Sequence, residues 1–289
     1  MSDTMRIGIG LPNQVRDVRP RVIPAWAQRA EQAGFRSLGT VGRNAYPGVA
    51  DTVALSAAAA VTSRVELISN VLVAPTWPST LLAKELAGID GVSGGRLTAG
   101  LGVGGAREDD FIADGYGPRG RGARLDRDLE TFRSVWHGEP VGGGPNPAVP
   151  AGTRQVPLLF GGSAPAALNR MARWGEGYIG FSLPVSSVRP SFDAARDAWQ
   201  RAGREGEPRL VALVYFALGD GDAGKRNIYD YYIAKGEETA ALVTGTVCDS
   251  PAKLEQALSS FADIGATDII FNTGTDDLDD IERLAEVVL

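Results

Sequence analysis

The residues from Gly100 to Gly105 read Gly-Leu-Gly-Val-Gly-Gly, directly after the apolar run 97–101. Backbone without side chains lets a ligand approach its N–H groups closely, and the spacing matches the G-x-G-x-x-G phosphate fingerprint. Glu108, Asp109 and Asp110 follow. Carboxylates at a helix start suit the helix dipole but repel a pyrophosphate placed there. The run is therefore open to three readings: dinucleotide contact, flavin contact, or plain packing of a strand into its loop. Gly161, Gly162 and Ser163 repeat the theme before Ala164-Pro165. Free N–H groups and a hydroxyl at a helix N-terminus make an anion site, or Ser163 simply caps its own helix. Arg43 and Asn44, followed by Tyr46-Pro47-Gly48, could bind an anionic substrate or lie on the surface. Tyr229, Tyr231 and Tyr232 could wall an apolar pocket or pack their own helix. No catalytic residue is assigned, and Arg43, Asn44 and Tyr232 are the candidates. The single histidine, His137, stands at a helix end before a surface loop, so triads built on histidine are set aside. Asp109-Asp110 and Asp276-Asp277 are paired acids without a histidine, and no metal site is expected.

The elements that must position these groups alternate along the chain. Apolar runs at 7–11, 37–41, 66–73, 97–101, 157–160, 178–181, 209–218 and 269–272 read as strands. Between them lie helical spacings. Val22, Trp26, Ala30 and Ala33 share a face before Gly34. Asp51 is placed to cap a helix over 52–61, Pro78 fits a first turn, and Leu82, Leu86 and Ile89 share a face. Further helices are expected at 118–136, 165–174, 186–202, 251–264 and 277–288. The loop 138–155, with four prolines and five glycines, is irregular. Eight strands, each followed by helix, predict an α/β fold, a (β/α)8 TIM barrel over residues 1–289 as one domain, with an insertion at 219–250 between strands seven and eight. In such a barrel the reactive groups gather at the C-terminal strand ends. That rule selects residues 12–13, 43–44, 70–71, 102–104, 161–163, 181–182 and 272–273.

Composition sets the outer bounds. The 289 residues carry 29 Lys and Arg against 35 Asp and Glu, a net charge of −6, which favours neither nucleic acid nor an anionic membrane. No apolar run is long enough to cross a bilayer, and the short apolar stretch near Met1 reads as a strand rather than a signal peptide. One cysteine, Cys248, excludes an internal disulfide. A cytoplasmic protein is expected.

Several segments together carry a resemblance: 7–12 (IGIGLP), 30–38 (AEQAGFRSL), 71–96 with AKELAGIDGVSGGR, Gly100–Gly104, 157–167 with GGSAPAA, and DSPAKLEQALSSFADIGATDIIF near the C-terminus. On these the chain resembles the luciferase-like flavin-dependent oxidoreductases, the family of bacterial luciferase, nearly end to end. The resemblance implies a (β/α)8 barrel, reduced FMN or coenzyme F-420 as cofactor, and a homodimer. It implies that Asn70-Val71 is a non-prolyl cis peptide behind the isoalloxazine, with Gly102, Val103 and Gly104 beside the ring. Gly161, Gly162 and Ser163, with Phe181 and Ser182, would lie near the ribityl phosphate. One departure stands out. Many relatives place an acid or histidine for proton transfer after strand two, where this chain has Gly42-Arg43.

The first functional expectation is a monooxygenase that takes reduced FMN from a separate flavin reductase and oxygenates a small organic substrate with O2. The second is hydride transfer with F-420, whose acidic tail calls for a basic groove; Arg43, Arg154 and Arg189 are the candidates for it. A non-catalytic flavin-binding protein is the third. Substrate identity is set by loops after strands two, four and seven.

Overall fold

The computed structural model describes residues 5–105, 108–113, 115 and 117–289; the first four residues and Arg107, beside the glycine run, lie outside the described residues. Eight parallel strands form the barrel: β1 (Arg6–Gly10), β2 (Ser37–Thr40), β3 (Glu66–Ser69, resuming at Leu72–Val73), β4 (Leu97–Gly102), β5 (Leu158–Gly161), β6 (Gly177–Ile179), β7 (Arg209–Phe216) and β8 (Asp268–Thr273). Each pairs with its neighbours in order, and β8 pairs back onto β1, which closes the ring. Around it run α1 (Val22–Ala33), α2 (Asp51–Val61), α3 (Ser79–Ser93), the short α4 (Asp109–Ala113), α5 (Arg121–Trp136), α6 (Pro165–Trp174), α7 (Val185–Arg201), α8 (Gly221–Tyr232), α9 (Glu237–Gly245), α10 (Pro251–Ala262) and α11 (Asp279–Val288). The expected (β/α)8 barrel is the fold found. The insertion between β7 and β8 is the pair α8 and α9.

Side chains alternate along a strand, so every second residue points into the barrel. Read from the bottom, those residues form layers. Glu66, Arg209 and Asp268 make a charged plug at the N-terminal strand ends. The Arg209 guanidinium donates to Glu66 Oε1 and Oε2 (2.6 and 2.8 Å) and to Asp268 Oδ1 and Oδ2 (2.7 and 3.0 Å). Thr98 donates its hydroxyl to Glu66 Oε1 at 2.6 Å. Burial alone would raise the Asp268 carboxyl, yet its bonds and proximity to Arg209 hold it below the ordinary carboxylate range. Above the plug lies an apolar layer of Ile68, Leu159, Ile179, Val211, Leu213 and Ile270. The alternate, outward-facing residues pack under the helices, where α1 gives Trp26, α5 Phe132 and α7 Phe192 to one continuous core.

The top inward layer is different. Gly10, Gly39, Gly102 and Gly161 share it with Asn70 and Asn272. A Cβ at Gly39 would lie 2.2 Å from the Asn70 Nδ2, and one at Gly10 would lie 2.6 Å from the Asn272 Oδ1. Small residues thus leave the C-terminal end of the barrel open above a filled interior.

Four local expectations are corrected. The third strand is not continuous over 66–73: the Asn70-Val71 peptide is cis and divides it. Asp51 is the first residue of α2 rather than its cap, which is Ala50, and no side-chain cap bond is made. The strand expected at 178–181 ends at Ile179, leaving Phe181-Ser182 in the loop beyond it. The helix expected from residue 118 starts at Arg121 because Gly120 adopts a left-handed φ of 68°.

The plug generates a stability prediction. Arg209→Ala takes the buried cation from Glu66 and Asp268 and leaves them only the half-exposed Arg6, and the midpoint in urea is expected to fall by the equivalent of about 3–5 kcal/mol. Because the depressed Asp268 carboxyl stabilises the fold only where it is ionised, the deficit should shrink as the pH falls below about 4. A deficit independent of pH would show that the loss is one of packing.

Candidate active site

Above the glycine layer lies a cavity of about 480 Å³ at the C-terminal strand ends. Its floor is Asn70 and Val71 on either side of the cis peptide, with Gly102, Val103 and Gly104 at the end of β4. Gly161, Gly162 and Ser163 after β5 and Phe181 and Ser182 after β6 continue the wall. All ten residues proposed to contact a cofactor therefore face one space. The glycines there are required by close packing: a Cβ at Gly102 would approach Val71 Cγ2 to 2.7 Å, and one at Gly104 would approach Phe111 Cζ to 2.9 Å.

One part of the wall is electropositive. Helix α6 opens at Ala164 with Pro165 in its first turn and no side-chain cap. No cap bond from Ser163 is found; Pro165 has no N–H and Ala167 donates to the Ala164 carbonyl at 2.8 Å, so within the first turn it is the Ala166 N–H that is left for an anion. Arg121 also lines the cavity. It is the first residue of α5, where a cation works against the helix dipole. Among the described residues its contacts are the Pro118 carbonyl at 3.3 Å and the Phe111 ring at 5.7 Å. Arg170 of α6 donates to the Gly122 carbonyl at 3.2 Å, which docks the start of α5 beside α6.

Elsewhere the wall is aromatic. Tyr215 of β7 and Tyr231 and Tyr232 of α8 line the cavity with Leu213 and Val243. The Tyr215 and Tyr232 hydroxyls stand 3.3 Å apart, and Tyr231 meets Tyr232 edge-on at 5.2 Å. Tyr231 donates its hydroxyl to the Gly42 carbonyl at 3.1 Å. Of the three tyrosines expected to wall a pocket, Tyr229 does not line it.

Arg43 and Asn44 are placed otherwise than as substrate ligands. Neither lines the cavity, and Asn44 is exposed. The Arg43 side chain is 4% exposed and pairs with Asp109 and Asp110 of α4, with its Nε 3.4 Å from Asp110 Oδ2. Asp110, which does line the cavity, also accepts the Ala45 N–H at 2.8 Å. The guanidinium lies 5.6 Å from the centre of the Tyr46 ring. Tyr46 in turn donates to Asp230 of α8 at 2.8 Å, and burial together with Asp230 pushes its phenol above the ordinary value, so it remains a donor. Arg43 is a latch tying the loop after β2 to α4. Arg154 is likewise engaged, bidentate on Asp90 (2.8 and 2.8 Å), and neither it nor the exposed Arg189 lines the cavity. The cations that do line it, Arg121 and Lys235, went unnoticed in the sequence. An arginine in a first turn was the available signal for one of them. His137 ends α5 away from the cavity.

Comparison with known proteins follows this geometry. The Luciferase-like monooxygenase family model matches residues 5–279. The uncharacterized protein Rv0953c of Mycobacterium tuberculosis is 34% identical over 170 residues, 56% of this chain and 60% of that protein, so the match spans less than two thirds of the relative. In fold, the chain is similar to the monooxygenase RslO1 from Streptomyces bottropensis, with a TM-score of 0.76 at 22% identity over 98% of this chain and 97% of that one. It is also similar to an F420-dependent secondary alcohol dehydrogenase solved with an F420-acetone adduct, with a TM-score of 0.78 at 16% identity over 99% and 98% of the two chains.

The latch can be tested without any ligand. Arg43→Ala leaves the buried Asp110 carboxylate short of its cation, and local opening of α4 should become easier by about 2 kcal/mol. Amide exchange across Asp109–Ala113 would then quicken roughly 30-fold while the strands stay protected. Unchanged exchange there would show that α4 is held by something else.

Proposed function

Because the chain belongs to the luciferase-like monooxygenase family, we propose that it is a monooxygenase using reduced FMN and O2 on a small organic substrate. The observation that carries this reading is the joining, in one cavity, of an uncapped helix N-terminus and Arg121 with the glycine-lined floor at Asn70-Val71. These residues fit the cofactor. Gly162, Ser163 and the first turn of α6, with Arg121, would hold the phosphate. Asn70, Val71, Gly102, Val103 and Gly104 would back the ring, where side chains larger than hydrogen at 102 and 104 have no room. Reduced FMN supplies two electrons to O2, so that one oxygen atom enters the substrate and the other leaves as water.

The protein's own contribution is positioning and exclusion of water. Leu213, Val243 and the tyrosine wall give the substrate an apolar surface, while the Tyr215 and Tyr232 hydroxyls offer it hydrogen bonds. Loop, α4 and α8 are held over the cavity through Arg43, Tyr46 and Asp230. The lining favours FMN over F-420. An acidic polyanionic tail needs a basic groove; the lining holds two cations, Arg121 and Lys235, while Arg43, Arg154 and Arg189 are absent from it. The oxidised FMN left after each oxygenation has to be reduced again, which calls for a separate flavin reductase as partner.

Titration of the purified protein with FMN, reduced FMN, F-420 and riboflavin tests the reading, followed by mixing of the reduced complex with O2. Reduced FMN should bind and react. Arg121→Ala should weaken FMN binding about 10–100-fold, the loss of a charged hydrogen bond, and leave riboflavin binding nearly unchanged. Binding of F-420 without FMN would replace the oxygenase by a hydride-transfer enzyme. Binding of oxidised FMN alone, with no reaction of the reduced form, would make the protein a flavin carrier.

A further inference from the structure

After β2 the chain runs along the cavity wall as Val41-Gly42 before turning away. Asp51, the first residue of α2, lies directly behind Gly42. Its Oδ2 stands 1.9 Å from where a Gly42 Cβ would be, so the carboxyl occupies the space that any larger residue at 42 would need. The side chain is buried, and its Oδ1 has no hydrogen-bond partner among the described residues. A carboxyl placed this way is costly if its only task is structural. Burial pushes it up to about 6, opposed by Thr40 at the end of β2, by its own backbone N–H and by Asn13 after β1. None of those is charged. Across Gly42, α8 presents the neutral Tyr231 hydroxyl on the Gly42 carbonyl, and Arg43 directs its guanidinium to Asp109 and Asp110 of α4.

We propose that Asp51 is the proton store of the cavity, holding a proton behind the glycine wall at residue 42 and exchanging it with the reacting centre past that wall. The assignment rests on the oxidoreductase reading above. The protons balance. Each oxygenation leaves one oxygen atom as water, which takes up two protons, and reduced FMN releases two on oxidation. Asp51 Oδ1 gives one proton and regains one, with no net consumption. Asp51 does not line the cavity, and so it acts at one remove from the substrate.

The test begins on the protein without flavin. Carbon NMR of carboxyl-labelled aspartate, with Asp51→Asn to identify the signal, should show the Asp51 carboxyl titrating near 6; titration in the ordinary range near 4 would overturn the proposal. In turnover with reduced FMN and O2, the wild-type rate should fall as pH rises through about 6, where the store empties. Asp51→Asn should be slower by about 100-fold and flat over that range, with FMN affinity unchanged. Asp51→Glu should restore a pH-dependent rate. Full activity and an unaltered pH limb in Asp51→Asn would equally sink the idea while leaving the monooxygenase reading intact. Loss of flavin binding by the wild type would instead remove that reading, and the NMR titration would still decide whether the carboxyl holds its proton. If Asp51→Asn fails to fold, the wild-type pH profile and Asp51→Glu carry the test.

Discussion

A closed ring of eight parallel strands has an interior that must be filled, and here the lower part is filled by one guanidinium. Arg209 spans from β7 to Glu66 on β3 and Asp268 on β8 with four hydrogen bonds, and Arg6 of β1 meets the same two carboxylates at 3.6 and 2.9 Å, so two cations offset two carboxylates. The apolar layer rests on it, and the glycine and asparagine layer rests on that. With the volume below already occupied, the small residues at the top create a cavity rather than a collapse. The open end of the barrel exists because the other end is closed by charge pairing, which water could not replace at the same volume.

The cavity's mouth is organised by the same economy of charge. Most arginines near it are spent on carboxylates of the protein itself: Arg43 on α4, Arg16 on Asp230 at 2.8 Å. These pairs fix the loop after β2, α4 and α8 relative to one another. Arg121 differs, since its described contacts are a carbonyl and an aromatic face. Placed near the uncapped start of α6, it gives one part of an otherwise apolar and aromatic cavity a positive potential. That asymmetry orients any ligand with one anionic end. Asp51 adds a titratable group from behind the wall, kept out of the cavity by the backbone of Gly42.

Much of this was readable from residue order. The alternation of period-two and helical runs predicts the barrel, and of the residues chosen by the rule of C-terminal strand ends, Asn70-Val71, Gly102 to Gly104, Gly161 to Ser163 and Phe181-Ser182 line the cavity, whereas Pro12-Asn13, Arg43-Asn44 and Asn272-Thr273 do not. Misreadings were of two physical kinds. Neither reading of Arg43, substrate ligand or surface residue, includes its partners Asp109 and Asp110, because they lie more than sixty residues away and pairing across that distance leaves no trace in local spacing. Asp51 was read as a cap because an acid before an apolar helix usually is one. Its displacement into the helix and its approach to Gly42 depend on how α2 docks against β2.

Taken alone, then, the sequence determines what local physics determines: the order and kind of the elements, hence the closed parallel barrel, and the positions where backbone is bare of side chains at the strand ends. Periodicity and glycine placement encode those, since each depends only on residues a few positions apart. The tertiary structure alone decides which charges are spent and which remain. It commits Arg43, Arg154 and Arg209 to carboxylates, leaves Arg121 facing the cavity, and sets Asp51 against the back of Gly42. Charge pairing and burial are set by distances between residues remote in the chain, and only the closed ring brings them together.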